Sequence, residues 1–80
     1  MRVTYDPEGN VLYIELKHAA PANSRDLEEG VTADLDTDGH ITGIEILGAR
    51  ERLGEQSLAS CSYEQLVPER ESQPSELASD

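Results

Sequence analysis

Residues 2–6, Arg-Val-Thr-Tyr-Asp, alternate: Val3 and Tyr5 fall on one face, Arg2 and Thr4 on the other. That is the period of a half-buried strand. Asp6-Pro7-Glu8-Gly9-Asn10 follows as a turn, with Pro7 presetting φ and Gly9 tolerating positive φ. Residues 11–17 resume the pattern, with Leu12, Ile14 and Leu16 on one face and Val11 and Tyr13 on the other. Apolar residues on both faces predict a central strand, covered on both sides over part of its length. Pro21 breaks the next stretch. Residues 24–28 read as a weak edge strand, and Glu29-Gly30 turns the chain. Residues 31–36 alternate again, Val31, Ala33 and Leu35 inward against Thr32, Asp34 and Asp36 outward. After a Thr-Asp-Gly turn, residues 40–47 form a fifth strand. Its apolar positions change phase between Ile41 and Ile44, and Gly43 sits where a bulge would permit that change.

From Ala49 the chain turns polar with sparse Leu, and one short helix is expected, with Gly54 a point of interruption. Residues 68–80 exchange apolar residues for Pro, Ser and Glu, the composition of a disordered tail. The pattern thus predicts a mainly β fold: an antiparallel β-meander of about five short strands over residues 1–53. Residues 54–67 serve as a helical cover or a linker, and 68–80 as an acidic tail.

Composition narrows this picture. The chain has 80 residues, no Phe, no Trp and three Tyr, so large core-filling side chains are scarce. One core of that size stabilises a fold only marginally. The net charge is -11, from 17 acidic and 6 basic residues. That disfavours nucleic acid and anionic membranes, which reward Lys and Arg clusters, and favours a basic partner if there is one. Cys61 is the only cysteine, so neither an intrachain disulfide nor a cysteine-based zinc site is available. A reduced, cytoplasmic setting fits. The start of the chain has no apolar run of signal-peptide length, and no segment is long enough to span a membrane.

One motif carries a sharp chemical alternative. Asp34, Asp36, Asp38, Gly39, Ile41 and Glu45 match the spacing of an EF-hand calcium loop. An EF-hand needs a helix on each side. The incoming segment contains Gly30, Val31 and Thr32, all poor helix formers, and the outgoing one contains Gly43 and Gly48. A hairpin explains the same residues without metal: Asp34 and Asp36 alternate onto the solvent face, and Asp38-Gly39 is a turn signal. The hairpin is therefore preferred, and calcium binding by Asp34, Asp36, Asp38 and Glu45 is kept as the alternative.

The ordered set Tyr5–Glu8, Leu12–Ile14 and Gly43–Leu47 resembles the small bacterial family catalogued as domain of unknown function 2283. Members typically open on Tyr-Asp-Pro-Glu, run into a Leu-Tyr-Ile strand and close with Gly-Ile-Glu-Ile-Leu. The resemblance covers residues 1 to about 53. Two positions depart from the common pattern. Glu29 replaces a frequent Pro, and Gly48 replaces a frequent Asp, which is expected to loosen the chain's exit from the sheet. The family has no established activity, so no catalytic residue is carried over. Some relatives resemble partners of small toxin-like proteins encoded nearby, which implies an antitoxin-like role.

The remaining candidates are weak. His18 and His40 are isolated and fit surface roles. Ser57, Ser60 and Ser62 surround Cys61 without a nucleophile-elbow pattern, and Cys61 has no adjacent His. Glu15 and Glu45 could form a carboxylate pair if their strands are neighbours. No catalytic constellation and no cofactor site emerges, so an enzyme ranks below a binding module. The apolar residues left over after one face is covered, Val11, Tyr13, Ile44 and Ile46 with Leu47, have two uses. Either residues 49–67 fold back over them, or they form an interface, with Tyr13 buried alongside parts of Val11, Ile44 and Ile46. The irregular spacing of Leu53, Leu58, Leu66 and Val67 favours the interface. The partners expected are a second copy, giving a homodimer, and a basic protein such as a toxin.

Overall fold

A computed structural model describes residues 1–67. The acidic tail expected at 68–80 lies outside the described residues. Five strands are present: β1 Arg2–Asp6, β2 Val11–Glu15, β3 Asn23–Glu28, β4 Val31–Leu35 and β5 Ile41–Leu47. Two short helices follow, α1 Ala49–Leu53 and α2 Glu55–Ala59. The expected break at Gly54 is real: its φ of 87° ends one helix and starts the next.

All pairings are antiparallel, and the strand order is β1-β2-β5-β4-β3. Strands β3, β4 and β5 form a continuous meander. Residues 16–22 make the one connection that is not a tight turn, carrying the chain from β2 to the far edge. That crossing spans three strand spacings, about 14 Å, well within the reach of a seven-residue connection. The central position expected for β2 holds, with β1 and β5 as its neighbours. β3 is an edge strand exposed along its whole length.

The phase change in β5 is a bulge. Asp34 pairs with Gly43 and Leu35 with Ile41, so Thr42 is the extra residue on β5. Thr42 is buried, and its carbonyl accepts the N–H groups of Leu16 (2.8 Å) and Lys17 (3.2 Å). The bulge returns Ile41 to the apolar side of the sheet, opposite Leu35.

The first turn differs from expectation in one respect. The positive φ falls on Asn10 (58°), not on Gly9. Asn tolerates the left-handed region because its short amide can hydrogen-bond locally, and Asn10 does more than that. Its carbonyl accepts Ala49 N–H (3.1 Å), its Oδ1 accepts Tyr5 Oη (3.0 Å) and Arg50 N–H (2.9 Å), and its Nδ2 donates to Glu51 (2.7 Å). Gly48, left-handed at φ 63°, turns the chain off β5 so that α1 starts against this residue. The exit from the sheet is therefore fixed, not loosened: Ala49 has 0% exposure.

α1 is held at its other side by Arg52. Its guanidinium meets the Glu28 carboxylate at 2.7 Å, donates from Nε to the Leu47 carbonyl at 3.0 Å, and also donates to the Glu29 carbonyl. One short helix thus joins the β1–β2 turn, the β3–β4 turn and the end of β5. A five-residue helix has little stability of its own, so these side-chain bonds hold α1 in place.

Candidate functional site

Pairing register assigns every strand residue to a face. Leu12 is opposite Ile46, which is opposite Val31; Ile14 is opposite Ile44, which is opposite Ala33. Val3 and Tyr5 join them through β1. This is the apolar face. On the reverse, Thr4, Tyr13, Glu45, Thr32 and Asp26 form one row, and Arg2, Glu15, Gly43, Asp34 and Ser24 the next.

That assignment corrects the interface proposed from sequence. Val11 and Tyr13 lie on the polar face, whereas Ile44 and Ile46 lie on the apolar one. The four cannot form a single patch. The error came from the unknown partner of β5: alternation gives each strand two faces but not which face meets which neighbour.

The apolar face is incompletely covered. Among the described residues only Ala33, Leu35 and Ala49 are buried apolar side chains, and no large side chain is fully buried. Val3 remains 41% exposed, Leu16 40% and Ile41 36%. Full burial of an aliphatic of this size is worth about 1.5–3 kcal/mol, so a third or more of that gain is unrealised at each. The segment after β5 lies over the β1–β2 part of this face without sealing it. A cleft of about 290 Å³ separates Val3, Leu12 and Ile14 from Leu53, Leu58 and Cys61. Beyond α2 the chain runs on with Tyr63 at 78% exposure and Leu66 and Val67 at 79%.

The polar face has one ordered feature. Tyr13 reaches from β2 over β5 to the Asp34 carboxylate on β4, a hydrogen bond of 2.6 Å. Gly43 makes the path possible, since a methyl group there would overlap the Tyr13 hydroxyl and ring. The phenol is pushed up to about 12, first by donating to Asp34, then by burial and the charges of Asp34, Glu15 and Glu45. Tyr13 is therefore a neutral donor locked to a carboxylate at physiological pH, which is not the state of a base or nucleophile. Glu15 and Glu45 do lie on neighbouring strands and one face, as a carboxylate pair requires, but diagonally to one another: Glu45 is opposite Tyr13 and Glu15 is opposite Gly43. A shallow depression of about 140 Å³ beside them is lined by Arg2, Thr4, Tyr13 and Glu15.

The Asp-rich loop is a hairpin. Strands, not helices, flank it. Asp36 N–H and the His40 carbonyl close it at 2.9 Å around three residues, with Gly39 at φ 85°. The Asp36 carboxylate accepts the N–H groups of Asp38 and His40, each at 2.9 Å, and lies 3.4 Å from Lys17 Nζ. The His40 N–H above all holds its carboxyl below the usual range, aided by the Asp38 N–H and Lys17. Asp34 is committed to Tyr13, and Glu45 lies farther along β5. Among the described residues no three carboxylate, His or Cys groups converge as a metal site would need.

The other sequence candidates are scattered. His18 is exposed, 3.4 Å from Glu15. His40 contributes its backbone to the hairpin. Ser57, Ser60 and Cys61 line the cleft under α2, and neither histidine lies on its wall. Sequence reasoning missed Asn10, Arg50 and Arg52, whose contacts join residues up to 45 positions apart. An Asn after a Gly in the first turn was the only signal for them. Among the described residues no helix is long and apolar enough to cross a membrane.

A family described as "Protein of unknown function (DUF2283)" matches residues 2–50, and the chain belongs to it. Neither the curated proteins nor the solved structures contain a match to the chain. The matched span covers the whole sheet and ends at Arg50, so the Asn10 contacts to Ala49 and Arg50 fall inside it. The Arg52 contacts, α2 and the exposed Tyr63, Leu66 and Val67 follow it.

Proposed function

We propose that the chain is a non-catalytic interaction module that acts by binding protein through the apolar face of its sheet. One observation carries the reading: the apolar strand positions gather on this face, yet among the described residues no large side chain on it is fully buried. A patch of that kind on a chain this small marks a docking surface. The partner classes are a second copy and a small basic protein. The net charge of -11 suits the second through long-range steering, and an antitoxin-like role is its biological form. A reducing, cytoplasmic setting suits the exposed thiol of Cys61.

The test places a charge at the rim of the face. Ile41→Asp should keep a native-like β spectrum, because Ile41 is already 36% exposed. It should abolish association with whatever the intact chain binds when expressed in its own host. Unchanged association, with itself and with other proteins, would reject the reading.

A further inference from the structure

The apolar face must meet something, and its chemistry selects the partner. Across β1, β2, β5 and β4, its positions are Val3, Tyr5, Leu12, Ile14 and Ile46, then Ile44, Val31, Ala33, Leu35 and Ile41. None is charged; the charged residues on this side, Arg25 and Glu28, sit on the edge strand β3 opposite Ala33 and Val31, with Glu28 already paired to Arg52. A basic protein docking over the centre of the face would bury Lys or Arg with no free acid beside them, and an unpaired buried charge is costly. An identical uncharged face carries no such cost. Within the sheet, Asp6, Glu15, Asp26, Asp34 and Glu45 lie on the reverse face and Glu28 at the β3 edge, so two copies can approach over β1, β2, β5 and β4 without burying like charges.

Area completes the argument. A stable interface takes about 800 Å² from each partner. The face offers partly exposed aliphatics, among them Val3, Leu16 and Ile41, and the largest apolar patch on an ordinary monomer is roughly 300–600 Å². That alone falls short. Tyr63, Leu66 and Val67 leave the domain almost fully exposed. An aromatic side chain such as Tyr63 carries on the order of 150–250 Å², and Leu66 and Val67 add to it, which moves the total toward the standard size. They lie at or just beyond a cleft at the rim of the face that Cys61 and Tyr63 line together with Val3 and Leu16.

We propose that the sheet packs by two-fold symmetry, apolar face to apolar face, on a second copy of the chain. In that pair, residues 62–67 of each copy lie across the other's sheet as a strap. The inference rests on the interaction reading above and names its partner. Symmetry makes one sequence supply both halves of the interface. The polar face, with Tyr13 and its carboxylates, then remains outside on both copies.

Sedimentation equilibrium of the purified full chain, without other protein, tests this. Twice the chain mass is expected at tens of micromolar. Ile41→Asp should raise the dissociation constant at least a hundredfold. A strap variant, Tyr63→Ser with Leu66→Ser and Val67→Ser, should raise it at least tenfold, and it lies outside the sheet, so it leaves the fold intact. Glu45→Gln, on the reverse face, should leave the mass unchanged. A monomer at one hundred micromolar overturns the pairing, as does a dimer broken by Glu45→Gln and not by Ile41→Asp. A dimer indifferent to the strap variant overturns the strap. A monomer that still binds a different protein through Ile41 overturns the pairing alone and leaves the interaction reading standing.

Discussion

The Tyr13 hydroxyl donates to the Asp34 carboxylate at 2.6 Å, two strands away, across the bare backbone of Gly43. Three strands are tied on the solvent side by one side chain. This matters because, among the described residues, no large side chain on the opposite side is fully buried. Gly43→Ala should displace the ring and break the bond, costing about 2–3 kcal/mol. In a Tyr13→Ala background the same substitution should cost less than about 1 kcal/mol, since Gly43 has no positive φ and Ala suits a strand better than Gly. Urea denaturation of the four proteins measures the coupling. Equal cost in both backgrounds would show that Tyr13 does not depend on Gly43.

The same bond makes an alkaline signature. The folded phenol is raised to about 12 from its usual 10, so the fold favours the neutral form. Its contribution is whole below pH 10 and declines as pH rises from there. It is lost once pH passes about 12. The melting-temperature gap between the intact protein and Tyr13→Phe should therefore shrink between pH 9 and 12. A gap constant over that range would remove Asp34 as the cause.

Millimolar calcium should leave the melting temperature unchanged. Asp36 is occupied by the two turn N–H groups and Lys17, and Asp34 by Tyr13. Chemical shifts over residues 34–45 should barely move during the titration. One-to-one micromolar binding would contradict the hairpin. Acid gives the complementary test. Because the Asp36 carboxyl is held low, its contribution is present at neutral pH and is lost as pH falls through its folded pKa. Asp36→Asn should remove that part of the acid dependence.

Arg52→Ala should destabilise the protein by about 1–2 kcal/mol, through lost bonds to two backbone carbonyls more than through the exposed Glu28 pair. Amide exchange at Arg50–Leu53 should quicken. Arg52→Lys should recover less than half, since an ammonium cannot span three acceptors as a guanidinium does. If exchange in α1 is unaffected by Arg52→Ala, the helix is held by something else.

Much of the sheet was readable from local pattern. Alternation placed most of the strands, β3 was read only as a weak edge strand, and the phase change at Ile41–Ile44 announced the bulge at Thr42-Gly43. Gly54 announced the helix break. Strand order was not readable, because alternation in β2 and β5 says nothing of which strands pair. That gap misassigned the interface: Tyr13 and Ile44 share a strand pair but not a face. The positive φ at Asn10 was hidden because Gly9 beside it was the simpler candidate. The contacts of Asn10 and Arg52 were hidden because they join segments brought together only by the completed sheet.

The central claim is that the apolar face is an interface between copies. Isotope-filtered nuclear Overhauser spectroscopy on an equal mixture of labelled and unlabelled full-length chain tests it most directly. Contacts between chains should link the methyl groups of Ile41, Ile44 and Val31 to the partner copy, with Leu66 and Val67 among the donors, and none should involve Tyr13 or Thr32. A spectrum with no contact between chains at the same concentration, or with contacts confined to the Tyr13 face, would contradict the account.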